Sequence, residues 1–121
     1  MQNVLVIGLG KVGSLVATLL SKQFKVKGLD KRKSSNPLPF EILEGDVTDE
    51  AFIEKSLVGF DAVVSCMPYN LNLPIARAAY QLGIHYFDLT EDVPTTAAIR
   101  IMAETHRGVM APQCGLAPGL I

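Results

Sequence analysis

Six residues near the start of the chain, Gly8-Leu9-Gly10-Lys11-Val12-Gly13, match the pattern G-x-G-x-x-G. The spacing suits a pyrophosphate. The first glycine permits a tight turn, the second lets phosphate approach the backbone, and the third lets a helix pack close to a strand. The main chain does the binding, through unpaired N–H groups and the positive end of a helix dipole, and Lys11 and Val12 fall in that first turn. A tight turn with no ligand is the bland alternative. Asp30 lies seventeen residues after Gly13. A carboxylate there can accept both hydroxyls of an adenosine ribose. It also opposes a 2′-phosphate, since like unit charges ~4 Å apart repel by about 4 kcal/mol at an effective dielectric near 20. Lys31 and Arg32 offset part of that, screened by solvent. NAD is therefore favoured and NADP stays open. Asp46 and Val47 stand where a carboxylate could accept from an adenine amine, or where Asp46 merely shapes the turn before Thr48.

These groups act only if strands and helices hold them. Val4 to Ile7 is a short β-branched run ending at glycine, which reads as a strand buried on both faces. Val12, Leu15, Val16, Leu19 and Leu20 fall at i, i+3, i+4, i+7 and i+8, the apolar stripe of a helix over 11–22. Further strands are expected over 25–29, 40–43, 61–65, 85–89 and 109–111. Thr48 should cap a helix that buries Phe52, Ile53 and Leu57. A helix over 71–82 should bury Ile75, Ala79 and Leu82 and end at Gly83. Pro94 should open another, with Ile99, Met102 and Ala103 inward and Gly108 ending it. Residues 31–39, polar and broken by prolines, read as a loop. Apolar strands mostly separated by helices predict an α/β fold: a single-domain, doubly wound parallel sheet of the Rossmann type in the spatial order 3-2-1-4-5-6. Ser65-Cys66-Met67-Pro68-Tyr69 then ends strand four at the switch point beside strand one, where such sheets bind ligands. Pro68 restrains Met67 to an extended conformation there.

Composition narrows the function. Apolar residues make up 49%, charged residues 19%, and the net charge is −1, which describes an ordered globular chain. It lacks the basic excess that nucleic acid or an anionic membrane would require. No apolar run reaches the ~18 residues of a membrane-spanning helix, and Met1-Gln2-Asn3 offers no basic leader. A cytoplasmic protein is expected, with Cys66 and Cys114 free rather than bridged. His85 and His106 lack ligand-spaced partners, so no metal site is expected. Glu91-Asp92 reads as an acidic lead-in to the next helix.

From Gly8 to Ile121 the chain resembles the cofactor domain of the saccharopine dehydrogenase-like oxidoreductases. The segments VIGLGKVG, GDVTD, DAVVSCMPYNLNLPIARAAYQLGIHYFDLTED and CGLAPGL carry the likeness. The resemblance implies hydride exchange between NAD(P) and the carbon next to an amino-acid nitrogen, with the catalytic acid and base outside the region present. It implies that Pro68 and Tyr69 lie near cofactor and substrate. Residues 1–113 would form the dinucleotide-binding domain, and 114–121, with Cys114 at the substrate edge, would start a connection to an absent substrate domain. The implied partner is a small amino-acid substrate, and any homodimer contact would belong to the absent domain. Such a piece would bind cofactor and catalyse nothing alone. The sequence departs from the family in its short loop 31–39, which lacks a helix. The glycine loop, Asp30 and the GD-x-T-D segment also resemble a nucleotide-sensing regulatory domain of a potassium transport system. CMPYNLNLPIARAAYQLGIHYFDLTED and CGLAPGL weigh toward the oxidoreductase.

Overall fold

The structure is a computed structural model and describes residues 2–32, 38–89, 101, 110 and 111. Its elements run β1 (Asn3–Ile7), α1 (Lys11–Leu20), β2 (Lys25–Asp30), β3 (Glu41–Glu44), α2 (Glu50–Ser56), β4 (Ala62–Ser65), α3 (Tyr69–Leu82), β5 (His85–Asp88) and β6 (Met110–Ala111). The six strands form one parallel sheet in the order β3-β2-β1-β4-β5-β6, as the crossover rule predicts. The chain steps outward from β1 to β3 and then restarts beside β1 with β4. That reversal opens a crevice at the strands' C-terminal ends.

The period-2 alternation of β1 splits the core in two. Leu5 and Ile7 join Leu29, Val63 and Tyr86 under α2 and α3, which contribute Ile53, Ile75, Ala76 and Ala79, with Leu57 at the C-cap of α2. Val4 and Val6 join Val26 and Ala62 on the opposite face, where α1 contributes Ala17. Burying each large aliphatic chain contributes about 1.5–3 kcal/mol. The strand is short but central, so both faces are claimed by the core.

Three local expectations are corrected. The stripe on α1 is not its buried face: Val12, Leu15 and Leu19 are 56%, 59% and 54% exposed. The buried residues are the small ones, Gly13 and Ala17. The helix lies so close to the sheet that bulk cannot occupy the contact line, and the larger side chains splay outward. Next, Asp49 rather than Thr48 is the N-cap of α2, with its carboxylate accepting from the Ala51 and Phe52 amides at 3.0 and 3.4 Å. Asp46 has already taken the Thr48 hydroxyl, at 2.6 Å. Finally, Leu82 is 40% exposed at the end of α3, although Gly83 does end that helix in the left-handed region, with φ of 72°. The helix expected after Pro94 lies outside the described residues except for Ile101.

Candidate functional site

The glycine loop joins β1 to α1, and its glycines differ in what they do. Gly8 has φ of +91°, a left-handed conformation that disfavours side chains. A Cβ on it would also meet the Met67 sulfur at 2.7 Å and the Cys66 carbonyl oxygen at 3.0 Å. Gly13 is the close-approach glycine, since its Cβ would stand 1.7 Å from the Gly8 carbonyl oxygen. Gly10 faces open space, with no atom within 4 Å of where its Cβ would be. It is also the N-cap of α1, and no side chain caps the helix there. The first turn contains no acidic residue. The first amides of α1, at Lys11, Val12 and Gly13, are therefore left for another acceptor, and the space in front of Gly10 admits one. That is the arrangement a pyrophosphate requires.

The loop is braced from two sides. The Ser14 hydroxyl donates to the Leu9 carbonyl at 2.8 Å. The Leu9 amide donates to Asp30 Oδ2 at 2.7 Å, while Asp30 Oδ1 accepts from the Lys31 amide at 2.6 Å. Asp30 thus ends β2 beside the loop, half-buried, with one oxygen toward each neighbour. Asp46 stands two residues beyond the end of β3, fully exposed. Its Oδ1 accepts from both the Thr48 hydroxyl and the Thr48 amide, at 2.6 and 2.9 Å. Those bonds, aided by the nearby Lys31 charge, hold the Asp46 carboxyl below the usual carboxylate range. Its geometry serves the turn. The Val47 side chain is buried in the core, so only its backbone is open to a ligand.

Across the switch point, the Cys66 amide donates to the Ile7 carbonyl at 2.8 Å and extends the β1–β4 pairing by one residue. Burial pushes the Cys66 thiol up to about 11, so it stays protonated and unreactive near neutrality. Pro68 is the N-cap of α3 and Tyr69 its first residue. Beneath this corner lies a polar network. The Ser65 hydroxyl donates to Asn72 Oδ1 at 2.6 Å, and the Tyr86 hydroxyl donates to Asp88 Oδ2 at 2.5 Å. Ser65, Asn72, Tyr86 and Asp88 are all fully buried. They tie the ends of β4 and β5 to the first turns of α3, and so set where Pro68 and Tyr69 stand.

Gly8, Gly10, Gly13, Asp30, Cys66 and Met67 are therefore brought together, with Lys11, Val12 and Pro68 at the rim. Cys114 and the Gly115–Gly119 segment lie outside the described residues. The sequence reading missed three contributors: Ser14, the Leu9 amide and the Asn72–Asp88 network. A serine directly after the third glycine was the available signal for the first. The network had a weak one, since the polar residues of DAVVS and HYFD end strands that should be apolar. Among the described residues no group of His, Cys, Asp and Glu is arranged to hold a metal ion, and no helix is long and apolar enough to cross a membrane.

Comparison with known proteins gives the family and the fold. The family model described as the saccharopine dehydrogenase NADP binding domain matches residues 4–111. Apo saccharopine dehydrogenase (L-Glu forming) from Saccharomyces cerevisiae superposes with a TM-score of 0.84 at 21% identity, over 98% of this chain and 28% of that one. The GalE-like L-threonine dehydrogenase from Cupriavidus necator gives 0.72 at 15% identity, over 91% and 53%. A short-chain dehydrogenase/reductase superfamily protein from Agrobacterium tumefaciens, solved with bound NAD, gives 0.71 at 19%, over 92% and 48%. At these identities the superpositions establish the fold. The chain spans about a quarter to a half of the length of these relatives. No curated protein sequence matches it.

Proposed function

This chain belongs to the saccharopine dehydrogenase NADP binding domain family, and from that premise we propose that it is the NAD(P)-binding domain of an oxidoreductase acting at an amino-acid C–N bond. The carrying observation is the open, uncapped N-terminus of α1 in front of Gly10. When bound, the nicotinamide cofactor supplies hydride exchange with the carbon beside the nitrogen. The chain's own residues bind and orient. The α1 amides take the pyrophosphate, Asp30 the adenosine ribose, and Met67 and Pro68 the flank of the crevice. Tyr69 and Cys114 are the residues assigned toward the substrate. Residues 1–113 form the binding domain, and 114–121 begin the link to a substrate domain that supplies the acid and base. The piece 1–121 binds cofactor without turnover, and its setting is cytoplasmic.

The family is described by NADP, yet Asp30 favours NAD. A half-buried carboxylate at the end of β2 would repel a 2′-phosphate brought beside it, and it already accepts from two backbone amides. We assign NAD as the preferred cofactor. Titration calorimetry of residues 1–121 with NADH and NADPH tests both parts. Absence of binding at millimolar ligand overturns the domain assignment, and tighter binding of NADPH overturns the preference. The C–N assignment is tested on the longer gene product, by NADH formation with secondary-amine amino acids against 2-hydroxy acids as controls. Turnover of the hydroxy acids alone overturns it.

A further inference from the structure

β2 holds a glycine that its backbone conformation does not require. Gly28 lies inside the strand, paired with Val6 on one side and Ile42 on the other. Its φ lies outside the left-handed region, which among the described residues is taken by Gly8, Gly59 and Gly83. Glycine inside a strand weakens it and often marks a place where something approaches closely. Here side chains make the approach. A Cβ on Gly28 would stand 2.6 and 3.0 Å from the two Leu9 methyl carbons and 2.9 Å from Phe40 Cε2. Leu9 and Phe40, both partly buried, thus meet over a bare stretch of β2, against the core that holds Val6, Val26 and Ala17 of α1.

Leu9 is the first variable residue of the glycine loop, and it is held at each of its groups. Its amide donates to Asp30 Oδ2 at 2.7 Å, its carbonyl accepts from the Ser14 hydroxyl at 2.8 Å, and its side chain fills the recess over Gly28. The Gly8 amide beside it donates to the Leu29 carbonyl at 2.9 Å. Three consecutive residues of β2 therefore fix the loop: Gly28 by the room it leaves, Leu29 by its carbonyl and Asp30 by its carboxylate. The hydrogen bonds tie the loop to the end of the strand, and the depth of the Leu9 side chain sets its height above the sheet. A side chain at position 28 lifts Leu9, and with it the turn that leads to Gly10 and the α1 amides. We propose that Gly28 is a positioning residue of the cofactor site, a socket outside the G-x-G-x-x-G run that seats Leu9 and so keeps the phosphate-facing amides where a ligand meets them. The proposal rests on reading that loop as the pyrophosphate seat.

Two variants of residues 1–121 test it. Gly28→Val fills the recess. Gly28→Val combined with Leu9→Ala moves the bulk from one partner to the other at nearly constant volume, the kind of exchange that packed sites tolerate best. Both are followed by calorimetric titration with NADH, by thermal unfolding, and by hydrogen exchange of the Leu9 amide in NMR spectra. Gly28→Val should weaken NADH binding and speed Leu9 amide exchange at least about tenfold each, the loss of one charge-assisted hydrogen bond. Valine's preference for strands should meanwhile hold the melting temperature near that of the parent. That split separates positioning from mere support of the fold, which would lower affinity and melting temperature together and leave the Leu9 amide no more exposed than its neighbours. The paired variant should recover most of the affinity and of the protection. Parental affinity and exchange in Gly28→Val overturn the proposal, because Leu9 then turns aside without moving the loop. A paired variant that binds no better than Gly28→Val overturns it too, because the clash is then not with Leu9. If Gly28→Val does not fold, the paired variant decides: NADH affinity near the parent's supports the socket, and failure to fold overturns it. If the parent takes up neither NADH nor NADPH, the pyrophosphate reading falls, and the Leu9 exchange rates alone judge the socket.

Discussion

Replacing Gly13 by alanine should damage fold and site together, and the coordinates set the scale. The new Cβ would lie 1.7 Å from the Gly8 carbonyl oxygen, against about 3.3 Å for an ordinary C···O contact. The helix must retreat by roughly 1.5 Å, because the atom it meets is backbone and cannot rotate away. Overpacking of this kind costs typically ~1–3 kcal/mol. Alanine returns at most about 1 kcal/mol of helix propensity, and less in a first turn. A net loss of about 1–2 kcal/mol should lower the melting temperature by roughly 4–8 °C in a domain of this size. The retreat also carries the α1 amides away from the phosphates. Losing one or two charge-assisted hydrogen bonds at ~1.5 kcal/mol each weakens cofactor binding about 10- to 100-fold. Gly10→Ala is the contrast. Its Cβ meets nothing within 4 Å, so stability should fall by only about 0.5 kcal/mol through the weaker N-cap. Binding should still drop, because the methyl stands in the space left for phosphate. The assays are thermal unfolding by circular dichroism and calorimetric titration with NADH. If Gly13→Ala melts with the parent and binds equally, the close approach of α1 to β1 is not real. If Gly10→Ala keeps full affinity, the pyrophosphate does not lie there.

Other perturbations probe separate parts. Asp30→Ala should weaken NADH binding and narrow the gap to NADPH, and unchanged titrations for both would remove Asp30 from the site. Tyr86→Phe removes the donor to buried Asp88 and should cost about 1–3 kcal/mol in urea unfolding; a change under ~0.5 kcal/mol would show that the carboxylate does not need that bond. The Cys66 thiol, raised from its ordinary 9.0 to about 11, is favoured as the neutral form in the fold. Its contribution to stability is therefore complete below pH 9.0 and lost as pH rises through about 11. Native protein should resist thiol reagents at pH 8, and rapid single-site reaction at Cys66 would contradict the burial. Asp61, which accepts from the Gln2 and Asn3 amides at 2.9 Å each, has its carboxyl lowered by those bonds. The stability it lends is present above its ordinary 3.8 and fades as pH falls below it, and Asp61→Asn should flatten that part of an acid titration of the fold.

The sheet was legible because its signals are physical and redundant. A β-branched run ending at Gly8 can be little else than a buried strand meeting a tight turn, and right-handed crossovers then leave few orders for the rest. The glycine loop was legible for the same reason: each glycine is demanded by an atom that would otherwise collide, or by the space that must stay empty. The face of α1 was not. Hydrophobic periodicity assumes that the largest apolar residues point inward, whereas here proximity decides, and proximity selects Gly13 and Ala17. Their i, i+4 spacing was the better guide. The cap of α2 was misplaced because Thr48 and Asp49 are both good caps, and only the turn bonds of Asp46 show which is free. The network that ends at Asp88 was hidden because Asn72 of α3 joins it to Ser65 of β4, seven residues away, and to Tyr86 of β5, fourteen away.

The bond from the Leu9 amide to Asp30 restricts how this site can evolve. If NAD is the preferred cofactor, as proposed above, a change toward the phosphorylated form has to discard the negative charge at the end of β2. Removing the side chain outright would orphan the loop amide and slacken the turn that the ligand needs intact. Of the single replacements, asparagine sheds the charge while keeping an oxygen of nearly the same reach for Leu9. The neighbouring Lys31 and Arg32 are then already on hand to meet a phosphate. The accessible route between the two specificities therefore runs through an amide, and relatives that have crossed over should bear its trace at this position.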